Sequence, residues 1–324
     1  MKKLLFVDHS FHAKTRATAF LQELLARDFE VETLWDEHWA GGAALTAKQL
    51  NDRQTDAIVF FQVLPRPRAL RGLRCTNLIW VPMRDGIRYS SSRLNRLRAS
   101  SLKTLNFCRE AHTFFSANGH PSLFAQYWPP PALKFPRSEQ KQPRIFFWPR
   151  RQEIGWSTLK ALLGDFRPGS IVLRYASDPG HDLPMPSEAD IRNYNITLLQ
   201  GWLEHSAYIA HLRECDVFMA PRPYEGIGQA MLEAMGHGLA VIAPDAPTMN
   251  EYVKHGHNGW LYNLSAPKPL DFSCWTAFGT AARDDVERGH AAWQAQADRV
   301  TAFIAQPPVR VPRWDWRLMQ ALRL

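Results

Sequence analysis

Short apolar runs recur along the chain, separated by stretches with helical spacing. The runs "KKLLFVD" (2–8), "DAIVFFQ" (56–62) and "NLIWVPM" (77–83) have the length and content of buried strands, and "TRATAFLQELLARDF" (15–29) repeats apolar residues as a helix does. Further strands are predicted at "VETLW" (31–35), "LKTLNFC" (102–108) and "TFFSAN" (113–118). Strands that alternate with helices predict a parallel α/β sheet.

A proline-rich stretch divides this series from a second one. The segment "YWPPPALKFPRSEQKQPR" (127–144) contains five prolines and no periodic pattern, as expected of a stiff linker between domains. After it, strands are predicted at 144–149, 170–176, 194–200, 216–221 and 239–244, with helices near 157–163, 205–213 and 228–237. The pattern therefore predicts one domain over 1–135 and a second over 136–307.

Length and composition agree with two soluble domains. The 324 residues, 45% of them apolar, fit two domains of about 150 residues each. The opening "MKKLLFVDHSF" has four apolar residues before Asp8, too few for a signal peptide, and no later run approaches the roughly 20 residues of a spanning helix. The four cysteines form no CxxC pair, so neither zinc nor disulfides are indicated. We expect a cytoplasmic protein.

The positive charge is concentrated in one region. Ten Lys and Arg residues lie between residues 66 and 103 against one acid, Asp85, so this stretch carries the whole basic excess behind the net charge of +8. Such a patch attracts phosphates of lipid head groups, of a lipid-linked acceptor or of nucleic acid. A plain solvated face is an equal alternative.

The segment "RPYEGIGQAMLEAMGHGLAVIAPD" (222–245) carries the clearest chemical signal. Glu225 follows a strand, and ligands of open α/β sheets bind at the carboxyl ends of strands, where a helix start favours anions. Gly226 and Gly228 allow close approach of a ligand. Glu233 lies about 12 Å from Glu225 at the helical rise of 1.5 Å per residue, which suits a nucleotide-sugar held at both ends.

The stretch "EGIGQAMLEAMGHGLAVIAPDAPTMNEYVKHGHNGWLY" (225–262) resembles the signature of the family-4 class of retaining GT-B glycosyltransferases, E-x7-E followed by A-x-x-x-G-x-x-V-I. The resemblance implies two Rossmann-like domains facing across a cleft, with the donor bound by the second. By position, Glu225 would contact the donor sugar, and Glu233 would hold the ribose. Gly226, Ile227 and Gly228 would flank the phosphates.

The cations of this family are only partly matched. The family places an Arg and a Lys-Gly pair after the first strand of the second domain, and "FWPRRQEIGW" offers Arg150 and Arg151, with Ile154 where the Lys would stand. A guanidinium fits a phosphate well, so Arg151 or Arg150 is the expected phosphate ligand. "WPRRQEIGW" and "VPMRD" are similar to a subset that includes bacterial polysaccharide rhamnosyltransferases.

Acceptor-side residues are less sharply indicated. His9 and His12 follow the first strand and could bind acceptor or phosphate, although for each residue alone a solvated loop position is the preferred interpretation. Asp85 follows another strand and could contact the transferred sugar or the acceptor hydroxyl, or cap a turn. The amphipathic tail "PRWDWRLMQALRL" (312–324) is expected in a final helix over 308–324 that crosses back to the first domain; an interfacial membrane helix is the alternative.

The sequence thus predicts a retaining glycosyltransferase without cofactor or metal, because no DxD motif stands at a strand end. The expected partners are a nucleotide-sugar, a glycan or lipid-linked acceptor of bacterial surface polysaccharide, and an anionic membrane surface at its cytoplasmic side, but no nucleic acid. Two alternatives stay open, a non-catalytic nucleotide- or anion-binding protein and an NAD-dependent sugar oxidoreductase or epimerase. The oxidoreductase alternative requires a G-x-G-x-x-G motif after the first strand, and this sequence has none there.

Overall fold

The computed structural model describes residues 1–87, 89–90, 101–133, 140–178, 180–201 and 203–307. The chain forms two compact units. Of the described residues, the first unit comprises those in 1–106, 111–125 and 296–307, and the second comprises those in 107–110 and 126–295. Among the described helices, none has both the length and the apolar content needed to cross a bilayer.

The chain up to residue 125 builds a six-stranded parallel sheet in the order β2-β1-β3-β4-β5-β6. Its strands are β1 (Lys2–His9), β2 (Phe29–Asp36), β3 (Ala57–Phe61), β4 (Leu78–Val81), β5 (Lys103–Asn106) and β6 (Ser122–Phe124). Its helices are α1 (Phe11–Thr15), α2 (Ala19–Leu25), α3 (Ala47–Asn51), α4 (Pro67–Arg71) and α5 (Arg109–Ala117). Short 3₁₀ turns span His38–Ala40 and Arg84–Gly86.

The second sheet is also parallel and six-stranded, in the order β12-β11-β10-β7-β8-β9. Its strands are β7 (Arg144–Phe147), β8 (Ser170–Tyr175), β9 (Ile196–Gln200), β10 (Val217–Met219), β11 (Ala240–Pro244) and β12 (Gly259–Tyr262). The helices that follow are α6 (Trp156–Leu163), α7 (Glu188–Asn193), α8 (His205–Arg213), α9 (Gln229–Gly236), α10 (Trp275–Ala295) and α11 (Ala297–Ala305). A 3₁₀ turn spans Met249–Glu251.

The strands form where the apolar runs predicted them, because parallel strands covered by helices on both faces need continuous apolar sequence. All five residues of β3 and all five of β11 are buried. This architecture confirms the predicted α/β fold class with two parallel sheets.

Two local predictions in the first unit were wrong. The run 113–118 is not a strand; it lies mostly in α5, whose Ala111 and Phe115 are buried four residues apart on one helical face. Of the helix predicted over 15–29, the structure forms α2 (Ala19–Leu25), whereas Thr15 ends α1 and Arg16 follows it in the left-handed region at φ 53°.

The end of the described chain returns to the first unit. Residues 126–133 belong to the second unit, and α11 belongs to the first, whereas the sequence placed the boundaries at 135–136 and 307–308. Helix α11 contacts α2, and its Ile304 carbonyl accepts a hydrogen bond of 2.7 Å from Nδ2 of Asn77. The predicted final helix over 308–324 lies outside the described residues.

Candidate functional site

Three arginines converge on one carboxylate in the second unit. They come from the carboxyl ends of neighbouring strands, with Arg222 after β10 and Arg150 and Arg151 after β7, and they meet Asp178, which follows β8. Arg150 Nη2 lies 2.6 Å from Oδ1 of Asp178, Arg151 Nε lies 2.9 Å from Oδ2, and Arg222 Nη2 lies 2.8 Å from Oδ2. The carboxyl edge of this sheet therefore holds three guanidiniums around a single acid.

The electrostatics of the cluster favour a second anion. Burial alone would raise the pKa of Asp178, but the hydrogen bond from Arg222 and the charges of the three arginines lower it overall, so the acid is ionised. Burial, and then the charge of Arg222, lower the pKa of Arg150, a sign that positive charge is crowded here. Three guanidiniums against two carboxylates, Asp178 and the neighbouring Glu225, still leave an excess of positive charge at a partly buried site.

The glutamate of the E-x7-E motif lies beside this cluster. Oε2 of Glu225 is 3.5 Å from Nη1 of Arg222, and its side chain is 14% exposed. The hydroxyl of Thr248 donates to the carbonyl of Glu225 at 2.6 Å, which fixes the turn. The same arginine thus contacts Asp178 and Glu225.

A left-handed glycine begins the helix that follows. Gly228 stands immediately before α9 at φ 81°, where a side chain would be strained, and an added Cβ would lie 3.3 Å from Cε of Met231. The first backbone N–H groups of a helix lack intrahelical acceptors and are suited to anions. Gly226 and Ile227 are buried in the same turn.

Glu233 contacts the start of α8. The sequence placed it about two turns into a helix, but α9 begins at Gln229, so Glu233 is only its fifth residue. Its Oε1 lies 3.1 Å from Nε2 of His205, the first residue of α8, and this hydrogen bond raises the pKa of the imidazole. The intervening loop makes the helical estimate of the distance between the two glutamates inapplicable.

A buried arginine lies near the start of α8. Arg174 of β8 is 3% exposed, and its guanidinium stacks 3.8 Å from the centroid of the Trp148 ring and 5.8 Å from that of Tyr208. Its Nε is buried and has no hydrogen-bond partner among the described residues. Burial lowers the pKa of Arg174. A buried cation with an open donor is a further point at which an anionic or carbonyl-bearing ligand could bind.

A cavity of about 670 Å³ opens beside the same turn, on the side of β11 and β12. Tyr224, Asp245, Tyr262 and Asn263 contribute to its lining. The hydroxyl of Tyr262 is buried and unpaired within the described part of the chain. The volume lies within the range of small-molecule sites in proteins.

The predicted acceptor-side residues meet at the carboxyl edge of the first sheet. Asp8 ends the buried part of β1, and Nδ1 of His12 lies 2.9 and 3.0 Å from its two carboxylate oxygens. The rings of His9 and His12 lie 3.7 Å apart, and the charge of Asp85 acts on His9. In the described ranges, Asp8, His9 and His12 are the one group whose ligand atoms come close enough together, within 4.8 Å, to hold a metal ion.

Several of the residues that the sequence predicted for the site lie near one another. Arg222 links two groups of predicted residues: it contacts Glu225, and it shares Asp178 with Arg150. Gly226, Ile227 and Gly228 lie in the same turn as Glu225. Asp85, His9 and His12 belong to the first unit. The site residues that the sequence missed are Asp178, Arg174 and Arg222. Arg222 stood in the quoted motif as the first letter of "RPYEGIG", and its place after a strand was the signal available.

The missing lysine has a structural explanation. Ile154, at the position of the family's lysine, is fully buried in the core of the second unit and directs no charge to the site. Arg222 brings a guanidinium to the same carboxylate from β10. A third cation of this site therefore comes from a different strand.

Comparison with known families and structures agrees with this geometry. Residues 180–270 match the family model described as Glycosyl transferases group 1. No curated protein matches the chain by sequence.

Several solved structures share the fold. Sucrose-phosphate synthase from Thermosynechococcus elongatus has a TM-score of 0.63 at 14% identity, covering 99% of this chain and 100% of that chain. HepE from Anabaena, in complex with UDP and glucose, has a TM-score of 0.59 at 14% identity, covering 93% of this chain and 100% of that one. The lipopolysaccharide outer core galactosyltransferase WaaB has a TM-score of 0.60 at 13% identity, covering 93% and 99%. At such identities the likeness concerns the fold.

The fold is thus that of the GT-B glycosyltransferases, and residues 180–270 within it are similar to the glycosyltransferase group 1 domain.

Proposed function

We propose that the protein transfers a sugar, with retention of anomeric configuration, from a nucleotide-sugar to a glycan or lipid-linked acceptor in bacterial surface polysaccharide or lipopolysaccharide assembly. The observation that carries this proposal is the group of three arginines beside the Glu225 turn. Excess positive charge at the carboxyl edge of a parallel sheet suits a diphosphate.

In this proposal the arginines bind the diphosphate and stabilise the charge of the leaving group. Negative charge develops on the diphosphate as its bond to the anomeric carbon breaks, and preorganised guanidiniums near that oxygen lower the barrier. The N–H groups at the start of α9 add to this field. These groups supply the positive charge without a metal ion, so we expect transfer to proceed in the presence of a chelator.

The sugar and the nucleoside are proposed to extend to opposite sides of the diphosphate. Glu225 would accept hydrogen bonds from hydroxyls of the transferred sugar, with the cavity beside Tyr224 and Tyr262 as space for it. Glu233 would hold the ribose, and Trp148 and Arg174 would lie toward the nucleoside. The acceptor hydroxyl would attack on the face that the diphosphate leaves.

The donor and the acceptor are suggested by the structural relatives. HepE was solved with UDP and glucose, and WaaB is a lipopolysaccharide galactosyltransferase, so UDP-hexoses are the first donors to test. We also propose a cytoplasmic protein that binds the inner face of the membrane through exposed arginines on and near α4: Arg66, Arg68, Arg71 and Arg74. Sedimentation with anionic vesicles, weakening with salt, tests this contact.

The decisive experiment is binding and transfer with a panel of UDP-, GDP- and dTDP-sugars. We expect one nucleoside diphosphate to bind, and we expect the Arg222→Ala variant to bind it at least tenfold more weakly while still binding the nucleoside. Glu225→Ala should lose at least about 100-fold in transfer while keeping the affinity for the nucleoside diphosphate. Arg192→Ala, an exposed arginine on α7 of the same unit, is the matched control and should behave as wild type.

Two outcomes would contradict the proposal. Absence of binding to every nucleotide in the panel would favour a non-catalytic anion-binding protein. A product whose anomeric proton shows the configuration opposite to the donor's by NMR would remove the retaining assignment, while leaving the donor site in place.

A further inference from the structure

One nitrogen of the His9 imidazole is left unpaired within the described part of the chain. Nε2 of this ring lies 3.2 Å from Oε1 of Gln62, which accepts a hydrogen, so the ring hydrogen is on Nε2. Nδ1 therefore carries a lone pair, and this atom is buried. Histidines that bind a metal ion have this arrangement, in which one nitrogen donates to an acceptor and the other faces the ion.

The carboxylate of Asp8, next in the chain to His9, is fully buried at the end of β1. In the described ranges its one ion-pair partner is His12, and no Lys or Arg pairs with it. An ionised carboxylate is costly to bury without a cation. The fold therefore places a negative charge near the lone pair of His9.

The three side chains are close enough to share one ion. Ligand atoms of Asp8, His9 and His12 all lie within 4.8 Å of one another, and Nδ1 of His12 lies 2.9 and 3.0 Å from the two oxygens of Asp8. Ligand atoms at the usual zinc distances in a tetrahedral site are about 3.4 Å apart, so an opening of roughly 0.5 Å between Asp8 and His12 admits the ion. The side chain of His12 is 14% exposed, so solvent reaches the group.

Without an ion, the contact of Asp8 with His12 is a hydrogen bond, because an ionised carboxylate only accepts and Nδ1 then donates. When an ion binds Nδ1, the hydrogen is carried by Nε2 instead, and the imidazole stays neutral. The carboxylate of Asp8 also accepts hydrogen bonds from the backbone N–H of His9 at 2.8 Å and from the hydroxyl of Thr18 at 2.9 Å. Such outer contacts orient the ligands of metal sites.

We infer that Asp8, His9 and His12 form a binding site for a divalent transition metal, with Zn²⁺ as the preferred ion. Two imidazole nitrogens and one carboxylate oxygen suit Zn²⁺, whereas Mg²⁺ and Ca²⁺ prefer oxygen ligands alone. Three protein ligands leave a fourth position for water or another ligand. The site lies within the first unit and is independent of the donor site proposed above.

An ion at this site would join α1 to β1. Asp8 and His9 end β1, whereas His12 lies in α1, a helix of five residues of which none is buried. Little apolar packing therefore fixes α1, and an ion bound by both elements would hold it in place. We expect Zn²⁺ to raise the melting temperature of the protein and to slow hydrogen exchange in α1.

The first test measures metal binding directly. Isothermal titration of the EDTA-treated and dialysed full chain with ZnCl₂ should show one strong site, which His9→Gln and His12→Gln should each weaken at least about tenfold. His38→Gln, at an exposed histidine of the same unit, is the matched control and should bind Zn²⁺ as the wild type does. MgCl₂ should give no such binding. Circular dichroism identifies any variant that has lost its fold.

A second test asks whether Asp8 is a ligand. Thr18→Val removes the hydroxyl that orients Asp8 and keeps all three ligands, so it should weaken Zn²⁺ binding by about 10-fold to 100-fold. Thr15→Val is the control, because the hydroxyl of Thr15 donates to the carbonyl of Phe11 on its own helix. If Thr18→Val binds Zn²⁺ as tightly as Thr15→Val does, Asp8 is not part of the site.

The inference fails if the wild type binds no Zn²⁺, or if His9→Gln and His12→Gln bind it as tightly as the wild type. Asp8 and His12 would then be a hydrogen-bonded pair only. These titrations contain no nucleotide, so their failure leaves the proposed transfer reaction untouched. Absence of nucleotide-sugar binding would contradict the proposed function and leave the metal site in place.

Discussion

At the scale of single residues, the candidate site depends on positively and negatively charged side chains whose charges partly cancel. Glu225, Arg150 and Arg151 could be predicted from the motif and from their places after strands. The contact of Arg222 with Asp178 could not be, because it requires β10, β7 and β8 to be neighbours, and local sequence does not show the strand order. The charge balance of the site is thus a property of the fold, and it makes Asp178 the residue to test.

We predict that Asp178→Ala destabilises the second unit and increases its affinity for diphosphate. Removing the acid leaves three guanidiniums without their shared partner, which we expect to lower the melting temperature by several degrees. Pyrophosphate should then raise the melting temperature of Asp178→Ala more than that of the wild type. Glu188→Gln, at an exposed ion pair on α7, is the control for loss of a carboxylate. An equal pyrophosphate shift in both proteins would contradict the role of Asp178.

At the scale of elements, apolar pattern predicts strands well and charge pattern predicts surfaces less well. Lys103 was counted in the basic stretch 66–103, yet it is 2% exposed, and its Nζ donates to carbonyls at the end of α11, including those of Phe303 and Gln306. It joins β5 to a helix about 200 residues later, a contact that local sequence cannot show. Arg88 and the arginines at 93, 96 and 98 lie outside the described residues.

The burial of Lys103 predicts a pH dependence of stability. Burial lowers its pKa from 10.5 to about 8. Between these values the unfolded chain binds more protons than the folded one, so the free energy of unfolding should rise as pH increases from 8 to 10.5. Urea unfolding of the wild type should show this rise, and Lys103→Met should reduce it. Lys48→Met, at an exposed lysine, should leave it unchanged. If the free energy of unfolding of Lys103→Met rises by the same amount, the pH dependence comes from other groups.

At the scale of the whole molecule, the sequence predicts two α/β units but not how the chain is shared between them. The proline-rich stretch marks the change of sheet to within about ten residues, since residue 126 begins the main part of the second unit. The return of α11 to the first unit was missed because "ADRVTAFIA" has the apolar spacing of any packed helix and does not identify its partner. Each unit nevertheless has its own sheet and core, which predicts that each can be perturbed separately.

We predict that Ile304→Ala loosens the first unit alone. Ile304 is fully buried on α11, and its truncation should cost about 2 to 5 kcal/mol. Because α11 contacts α2 and receives bonds from Asn77 and Lys103, hydrogen exchange should rise in α2, β4 and β5. Peptides covering the Glu225 turn should exchange as in the wild type, and nucleotide affinity should not change. Arg299→Ala, at an exposed position of the same helix, controls for substitution on α11. Faster exchange at the Glu225 turn in Ile304→Ala would mean that the two units unfold as one, because the perturbation would then have reached a core that α11 does not cover.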